Sequence, residues 1–401
     1  METLRFIMTT TFYPPYHVGG DAIHVYHLSN ELEKRGHEVH VVHLLDSYYF
    51  KRKNDPRGKH DTNKNVFRHA IKCPSGTLSL FKTYVFGKSV YIDRKVKSII
   101  EGVKPDVINH HNLAGYGPSI LRYEAPNVLY TAHDYWLICP MNILMKRSGE
   151  ICEQNFNCAL CSLLFKRPVQ LWRYRKNIKN FLDNIDFIIA PSNFLKEKLE
   201  RTGINKDIKV MPNFVLSDTK SNSSYRSNIK AKNIQKPYIL YVGVLEPYKG
   251  ILMLLDTFQK IQDNVNLNMV VVGNGSLYKK LKSIKSKKIL LNGWVDQDEL
   301  KHFYKNAEAV VIPSLCHENN PFVALESLKY GTPIIVSDRG GLPEIAQKGD
   351  MPVFKSSSEL KSLLEKLDRG ELIHKNPQRV YEDNYSPDSF IEKYLCLIRD
   401  K

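Results

Sequence analysis

A doubly wound α/β architecture, repeated in two tandem domains, is predicted by three features of this 401-residue sequence. Short apolar runs recur along the chain at the length of buried parallel strands. Helical patterns separate them, as parallel crossovers require. Almost every run ends in a loop of Gly, Pro, Ser, Asn or His, where an open α/β sheet presents its ligands.

The first forty-five residues set the pattern. "LRFIMTT" is the first strand, and "FYPPYHVGG" is a turn-rich loop. Asp21 is expected to cap a helix over 22–35, with Ile23, Tyr26, Leu28 and Leu32 at roughly helical spacing. Gly36 stops it, and "EVHVVHLL" is the second strand, which completes a βαβ unit. Further strands are expected at 106–111, 127–133 and 186–192. A second set lies at 238–243, 267–273, 289–293, 309–314 and 333–338. Between the sets, residues 217–235 are polar and read as a surface connection. The expected arrangement is a Rossmann-like domain over 1–215 and another over 216–380, facing each other across a cleft.

The hydrophobic fraction of 42% supports two cores of ordinary size. The formal charge of +16 favours anionic partners. No basic run carries a nucleic-acid fold signature, so nucleic acid is not an expected partner. No apolar stretch is long enough to span a bilayer, and the N-terminus reads as a strand and not as a signal peptide. A cytoplasmic location is expected, with peripheral contact to the inner face of a membrane. The basic, turn-rich insertion over 47–65 is read as a loop, either touching the variable substrate or simply solvated.

Several loops carry candidate chemistry. Gly19 and Gly20 let the backbone approach a phosphate at a helix N-terminus, although a tight turn without a ligand explains them too. Lys249 precedes Gly250 and a helix start, a setting suited to a diphosphate. In "VVVGNGSL", Tyr278 stands where a dinucleotide fingerprint needs its third glycine, which argues against an oxidoreductase. His133 and Asp134 end a strand; a neutral His there can bond a sugar hydroxyl or be satisfied by neighbouring backbone.

The stretch "HENNPFVALE" holds Glu318 on a loop and Glu326 inside a helix, with Asn320 expected as N-cap and Pro321 as first helical position. Ionised carboxylates there suit vicinal hydroxyls of a ribose or hexose. Solvated glutamates are the bland alternative, and an acid–nucleophile pair of a glycoside hydrolase is another.

"HENNPFVALESLKYGTPIIVSDRGGLPEI" resembles the donor-site signature of retaining glycosyltransferase family 4, whose fold is GT-B. "YPPYHVGG", "TAHDYWLICP", "APSNF", the Lys249–Gly250 loop and "VVGNGSL" extend the resemblance over most of the chain. It implies transfer of a hexose-type sugar, with retention, from a UDP- or GDP-sugar to a glycan or lipid-linked acceptor. Glu326 would hold the donor ribose, Glu318 the donor sugar and Lys249 the diphosphate. Gly20 would approach phosphate or acceptor, and His133 the transferred sugar. Asn319, Asn320, Pro321 and Phe322 would line the sugar and phosphates with backbone groups. The resemblance also implies that 381–401 forms a helix returning toward the first domain. No metal cofactor is required if protein groups stabilise the leaving diphosphate. One departure is Val244, where relatives commonly place an arginine. Arg339 is a candidate substitute, and a non-catalytic nucleotide-sugar-binding subunit is the alternative that Val244 favours.

Two further features stand apart. Cys139, Cys152, Cys158 and Cys161 have a spacing compatible with a structural Zn²⁺, and equally with four free or buried thiols. "FKRPVQLWRYRKNIKNF" (165–181) mixes basic and aromatic residues. It fits a helix on an anionic membrane or one packed on the first domain.

Overall fold

The computed structural model describes residues 2–52, 54–56, 62–153, 157–175, 178–217, 234–284 and 286–399. The chain divides into two compact units, Met1–Pro212 with Phe390–Lys401, and Asn213–Ser389. Each is built on one parallel sheet.

The first unit contains β1 (Arg5–Thr9), β2 (Glu38–Leu44), β3 (Val66–Ile71), β4 (Val107–His110), β5 (Asn127–Thr131), β6 (Phe187–Ala190) and β7 (Asp207–Val210). Their order is β3-β2-β1-β4-β5-β6-β7, and every pairing is parallel. The order reverses between β1 and β4, which opens a crevice at the carboxyl ends of those two strands. The central strands carry buried apolar runs because both faces are covered. Phe6, Ile7 and Met8 are all fully buried.

The helix Gly20–Lys34 begins two residues earlier than expected, with Gly19 and not Asp21 at its N-cap. Gly19 has φ +95°, and Asp21 is instead drawn to Asn112, whose Nδ2 donates to Oδ2 at 2.5 Å. The buried face of this helix is His24, Val25, Leu28, Ser29 and Leu32, so Ile23 and Tyr26 lie to its side, half-buried. The insertion expected as a loop over 47–65 starts inside a helix, Leu45–Lys51. Tyr48 anchors that helix by packing with Phe12 and Ala22. Residues 53 and 57–61 of the insertion lie outside the described residues, as do 218–233 of the expected linker.

The second unit contains β8 (Tyr238–Val242), β9 (Asn268–Val272), β10 (Ile289–Gly293), β11 (Ala309–Ile312), β12 (Ile334–Ser337) and β13 (Val353–Phe354). The order is β10-β9-β8-β11-β12-β13, again all parallel, so the switch point falls between β8 and β11. Leu325 and Leu328 of the helix Phe322–Lys329 are fully buried against Leu240, Val310, Ile334 and Val336.

Strands β3, β7 and β13 are absent from the expected set. All three lie at or toward sheet edges, and β3 shows the reason. Its inner residues are largely solvated, with burial only at Val66 and Ile71, so no continuous apolar run announces it. The helix Pro387–Arg399 packs on the first unit from Phe390 onward. There the Tyr394 hydroxyl accepts a 2.9 Å bond from Asn109 Nδ2, and Phe390 meets the His24 ring edge-on. Among the described residues, no helix is long and apolar enough to cross a membrane.

Candidate functional site

In the second unit, the loops after β8 and β11 flank the switch point, and they carry Lys249 and Glu318. Lys249 ends a tight turn, Pro247–Lys249, closed by Gly250 in the left-handed region at φ +72°. A Cβ on Gly250 would fall 1.8 Å from the Pro313 carbonyl oxygen, so only glycine lets the two loops approach this closely. Lys249 Nζ donates to Glu318 Oε1 at 2.5 Å, and Ser314 Oγ donates to the same oxygen at 2.6 Å. The pair is well shielded, with side-chain exposures of 26% and 13%.

Burial opposes charge on both partners, and their mutual attraction wins. The Lys249 pKa is raised by the Glu318 carboxylate despite desolvation, and the Glu318 pKa is lowered by Lys249 and Ser314 despite desolvation. Both groups are therefore ionised across the neutral range. The same carboxylate, after burial itself, pushes the Cys316 thiol up to about 12.

The Glu318 backbone is clamped from below. It bridges Gly340 in parallel fashion, and Gly341 N–H donates to its carbonyl at 2.6 Å. Gly340 has φ +66°, and a Cβ there would lie 2.0 Å from the Glu318 oxygen. Asn320 was expected to cap the following helix, but the cap is Pro321 and the helix starts at Phe322. The Asn320 side chain is engaged elsewhere: its Oδ1 accepts from Asn213 N at 2.9 Å, while the Asn320 backbone carbonyl accepts from Asn213 Nδ2 at 2.9 Å. Asn319 is buried beside it, and Pro321 and Phe322 are half-buried.

Glu326 lies on the fifth position of that helix. The Tyr304 hydroxyl, fully buried, donates to its Oε2 at 2.8 Å. Burial raises the Glu326 pKa, and bonds from Tyr304 and Gln297 only partly offset this. Tyr304 belongs to the helix Gln297–Asn306, and nothing in its local sequence marks it as a partner of Glu326. Removing its hydroxyl in Tyr304→Phe leaves the Glu326 carboxylate short of this bond and is expected to cost about 1 kcal/mol of stability. Urea unfolding measures this, and an unchanged midpoint would show that the bond contributes nothing.

Val244 is 48% exposed after β8, and the Tyr241 hydroxyl donates to its carbonyl at 3.0 Å. Arg339 is half-buried in the loop after β12.

In the first unit the corresponding loops carry Gly19, Gly20, His111 and His133. His111 Nδ1 and His133 Nε2 are 3.0 Å apart and their rings stack at 21°. His24 meets His133 edge-on, with ring centroids 5.0 Å apart. Burial lowers the His133 pKa to about 4, with Asp21 acting weakly against it, so the imidazole is neutral at pH 7. Asp134 is pushed up to about 6 by burial, although its oxygens accept from Trp136 N at 2.9 Å and Asn142 Nδ2 at 3.0 Å. Gly20 opens the helix that carries Asp21 and His24.

The four cysteines of the quartet are free thiols. They are near enough that Cys139 and Cys152 act on the thiols of Cys158 and Cys161, whose pKa values rise mainly through burial. Among the described residues, no three of their sulfurs lie within 4.8 Å of one another. The basic segment after them is tied into the unit. Trp172 is 4% exposed, and Arg173 stacks over its ring at 4.3 Å while donating to the Trp136 and Leu137 carbonyls.

Comparison with known proteins agrees with this geometry. Residues 18–218 match the family described as Glycosyltransferase Family 4, and residues 225–386 match Glycosyl transferases group 1. An uncharacterized glycosyltransferase of Methanocaldococcus jannaschii is 28% identical over 353 residues, 85% of this chain and 82% of its own. The fold is similar to that of sucrose-phosphate synthase from Thermosynechococcus elongatus, with TM-score 0.71 and 17% identity over 99% and 98% of the two chains. It is also similar to Anabaena HepE in complex with UDP, with TM-score 0.65 and 13% identity over the whole of both chains. Two parallel-sheet α/β domains, the loops at their switch points and these matches identify the chain as a GT-B protein belonging to glycosyltransferase family 4.

Proposed function

We propose that the chain transfers a hexose-type sugar, with retention of configuration, from a UDP- or GDP-sugar to a glycan or lipid-linked acceptor. The observation that carries this reading is the Lys249–Glu318–Ser314 cluster at the switch point of the second sheet, beside the start of the helix that holds Glu326. A fixed cation next to a helix N-terminus suits a diphosphate, which would draw Lys249 toward its oxygens and release Glu318 to accept sugar hydroxyls. Glu326, held by Tyr304, would accept from the ribose. Asn319, Asn320, Pro321 and Phe322 would supply the wall between them. In the first unit, Gly20 would face phosphate or acceptor, and neutral His133 would bond the transferred sugar. Stabilisation of the leaving diphosphate by Lys249 and backbone N–H groups needs no metal.

Release of nucleoside diphosphate from a panel of sugar nucleotides tests the activity. Glu326→Ala is expected to weaken donor binding by roughly 10- to 100-fold, as loss of hydrogen bonds to a charged group predicts. Unchanged donor affinity in that variant would remove Glu326 from the ribose.

The environments of Glu318 and Glu326 push their pKa values in opposite directions, which an acid–nucleophile pair also requires. The hydrolase reading nevertheless yields to the family match. A non-catalytic sugar-nucleotide-binding role keeps one supporting observation, the exposed Val244 in place of an arginine. Tight donor binding without turnover across acceptors would favour it.

Contact with an anionic membrane through the segment 165–181, of which 176 and 177 lie outside the described residues, would use exposed Tyr174, since Trp172 and Arg173 pack into the unit. Flotation on anionic but not neutral liposomes is the expected result, and equal recovery on both would oppose it. For the cysteine quartet, a structural Zn²⁺ is the remaining proposal. Zinc-edge X-ray absorption of the purified protein tests it, with about one sulfur-ligated zinc per chain expected, and nitrogen-only ligation or no zinc would remove it.

A further inference from the structure

We propose that His24, His111 and His133 form a binding site for a single late first-row divalent cation such as Zn²⁺, Co²⁺ or Ni²⁺. One ring nitrogen from each of the three lies within 4.8 Å of the other two, the one such cluster of His, Cys, Asp or Glu among the described residues. The histidines come from three different elements of the first unit. His24 is on the helix Gly20–Lys34, His111 follows β4 and His133 follows β5. Tertiary structure alone makes them converge, at the switch point of the sheet.

The distances are compatible with a shared ion. Zn–N bonds of about 2.0–2.1 Å in tetrahedral geometry place ligand nitrogens ~3.3 Å apart. His111 and His133 are already at 3.0 Å, so they need to part only slightly. His24 needs to close by no more than ~1.5 Å, within reach of ring rotation.

The chemistry of the donor set agrees. Imidazole suits Zn, Cu, Ni and Co, and a set of three without thiolate or multiple carboxylates disfavours Mg²⁺ and Ca²⁺. Burial keeps all three rings neutral, the form that ligates. Asp21 is near enough to act on His133 and supplies negative charge against the incoming cation. His24 and His111 are each 1% exposed while His133 is half-buried, so one side remains for a fourth ligand. Three protein nitrogens and one open position is the ligand count of an exchangeable site.

Occupancy has a consequence that rests on the proposed role of His133: the ion would withdraw that imidazole from the donor sugar. The same cation would then inhibit sugar transfer, and a chelator would restore it.

Cobalt is the discriminating probe, because the cysteine quartet offers a competing site. Titration of the purified full chain with CoCl₂ is expected to show one Co²⁺ per chain with ligand-field bands and no thiolate-to-cobalt charge transfer. His111→Asn and, separately, His24→Gln are expected to lose that uptake at least tenfold in affinity, with circular dichroism checking that each variant is folded. Should both variants unfold, nitrogen ligation seen by X-ray absorption on the wild type supports the site. Absence of stoichiometric uptake, uptake accompanied only by thiolate charge transfer, or undiminished binding in a folded His111→Asn protein overturns it. Metal uptake without inhibition of transfer would uphold the site and count against the role given to His133.

Discussion

Replacing Lys249 with Ala is expected to destabilise the second unit by about 3 kcal/mol and to abolish tight binding of a diphosphate. The stability loss follows from what is left behind. Glu318 keeps its shielded position, with 13% side-chain exposure, and loses the cation 2.5 Å away. Breaking a buried pair by removing one partner costs about 3–5 kcal/mol, and the quarter exposure of Lys249 places this case at the low end. The pH dependence carries a definite sign. In the wild type the Glu318 pKa is lowered, so its stabilisation is present above the unfolded carboxylate value and is lost as pH falls through the folded value. In Lys249→Ala, burial acts with only Ser314 against it, so the carboxyl pKa rises. The deficit of the variant should then shrink on acidification, as Glu318 protonates, and grow toward neutrality. Urea unfolding at a series of pH values measures both effects. The double variant Lys249→Met/Glu318→Gln should recover most of the loss, because it removes the charge along with its partner. A deficit that is flat with pH would assign the loss to packing of the Lys249 stem and not to the orphaned charge.

A second large effect is expected from acid. His43 on β2 is 2% exposed, and burial, helped by Arg68 and His69, lowers its pKa to about 4. A histidine with a depressed folded pKa leaves the unfolded chain binding the extra proton first. Stability contributed by the neutral ring is therefore full above the unfolded value near 6.5 and is lost as pH falls from there toward 4. At about 1.4 kcal/mol per unit, the window costs roughly 3 kcal/mol through this one side chain. The ring lies between Tyr13 and Tyr16, at 6.0 and 6.1 Å between centroids, and an added charge there has no anionic partner among those contacts. Unfolding of the wild type between pH 7 and 4, compared with His43→Phe, tests the claim. The substitution should flatten the acid limb by that amount, and an unaltered limb would move the acid sensitivity to other histidines.

Much of this protein was legible in its residues because parallel strands buried on both faces must be apolar. Val310 to Ile312 and Ile334 to Val336 announce themselves for that reason, and the loops after them could be placed to within a residue or two. Edge strands could not be placed in the same way. Strand β3 is buried only at its ends, Val66 and Ile71, with solvated residues between them, and β13 spans only two residues. Cap assignments failed where a polar side chain had a better partner far away in sequence. Asp21 is bound by Asn112 and Asn320 by Asn213, separations of 91 and 107 positions. A rule that reads four neighbouring residues has no access to such partners.

The same division runs through the site. Lys249 and Glu318 stand out in the chain because each is an ionisable residue in a glycine- or proline-marked loop at a strand's carboxyl end, and Glu326 because it sits early in the helix that follows, a setting that local periodicity defines. Their strand, loop and helix context is therefore written in the residues themselves. That Lys249 neutralises Glu318, that Tyr304 holds Glu326, and that His24 and His111 gather around His133 are decided in three dimensions. Periodicity reports which face of an element is buried, but hydrogen bonds and charge pairs depend on which elements the sheet order brings side by side. The β8–β11 and β1–β4 adjacencies that assemble these groups join strands far apart in the chain, through backbone pairing that leaves no mark on any one segment.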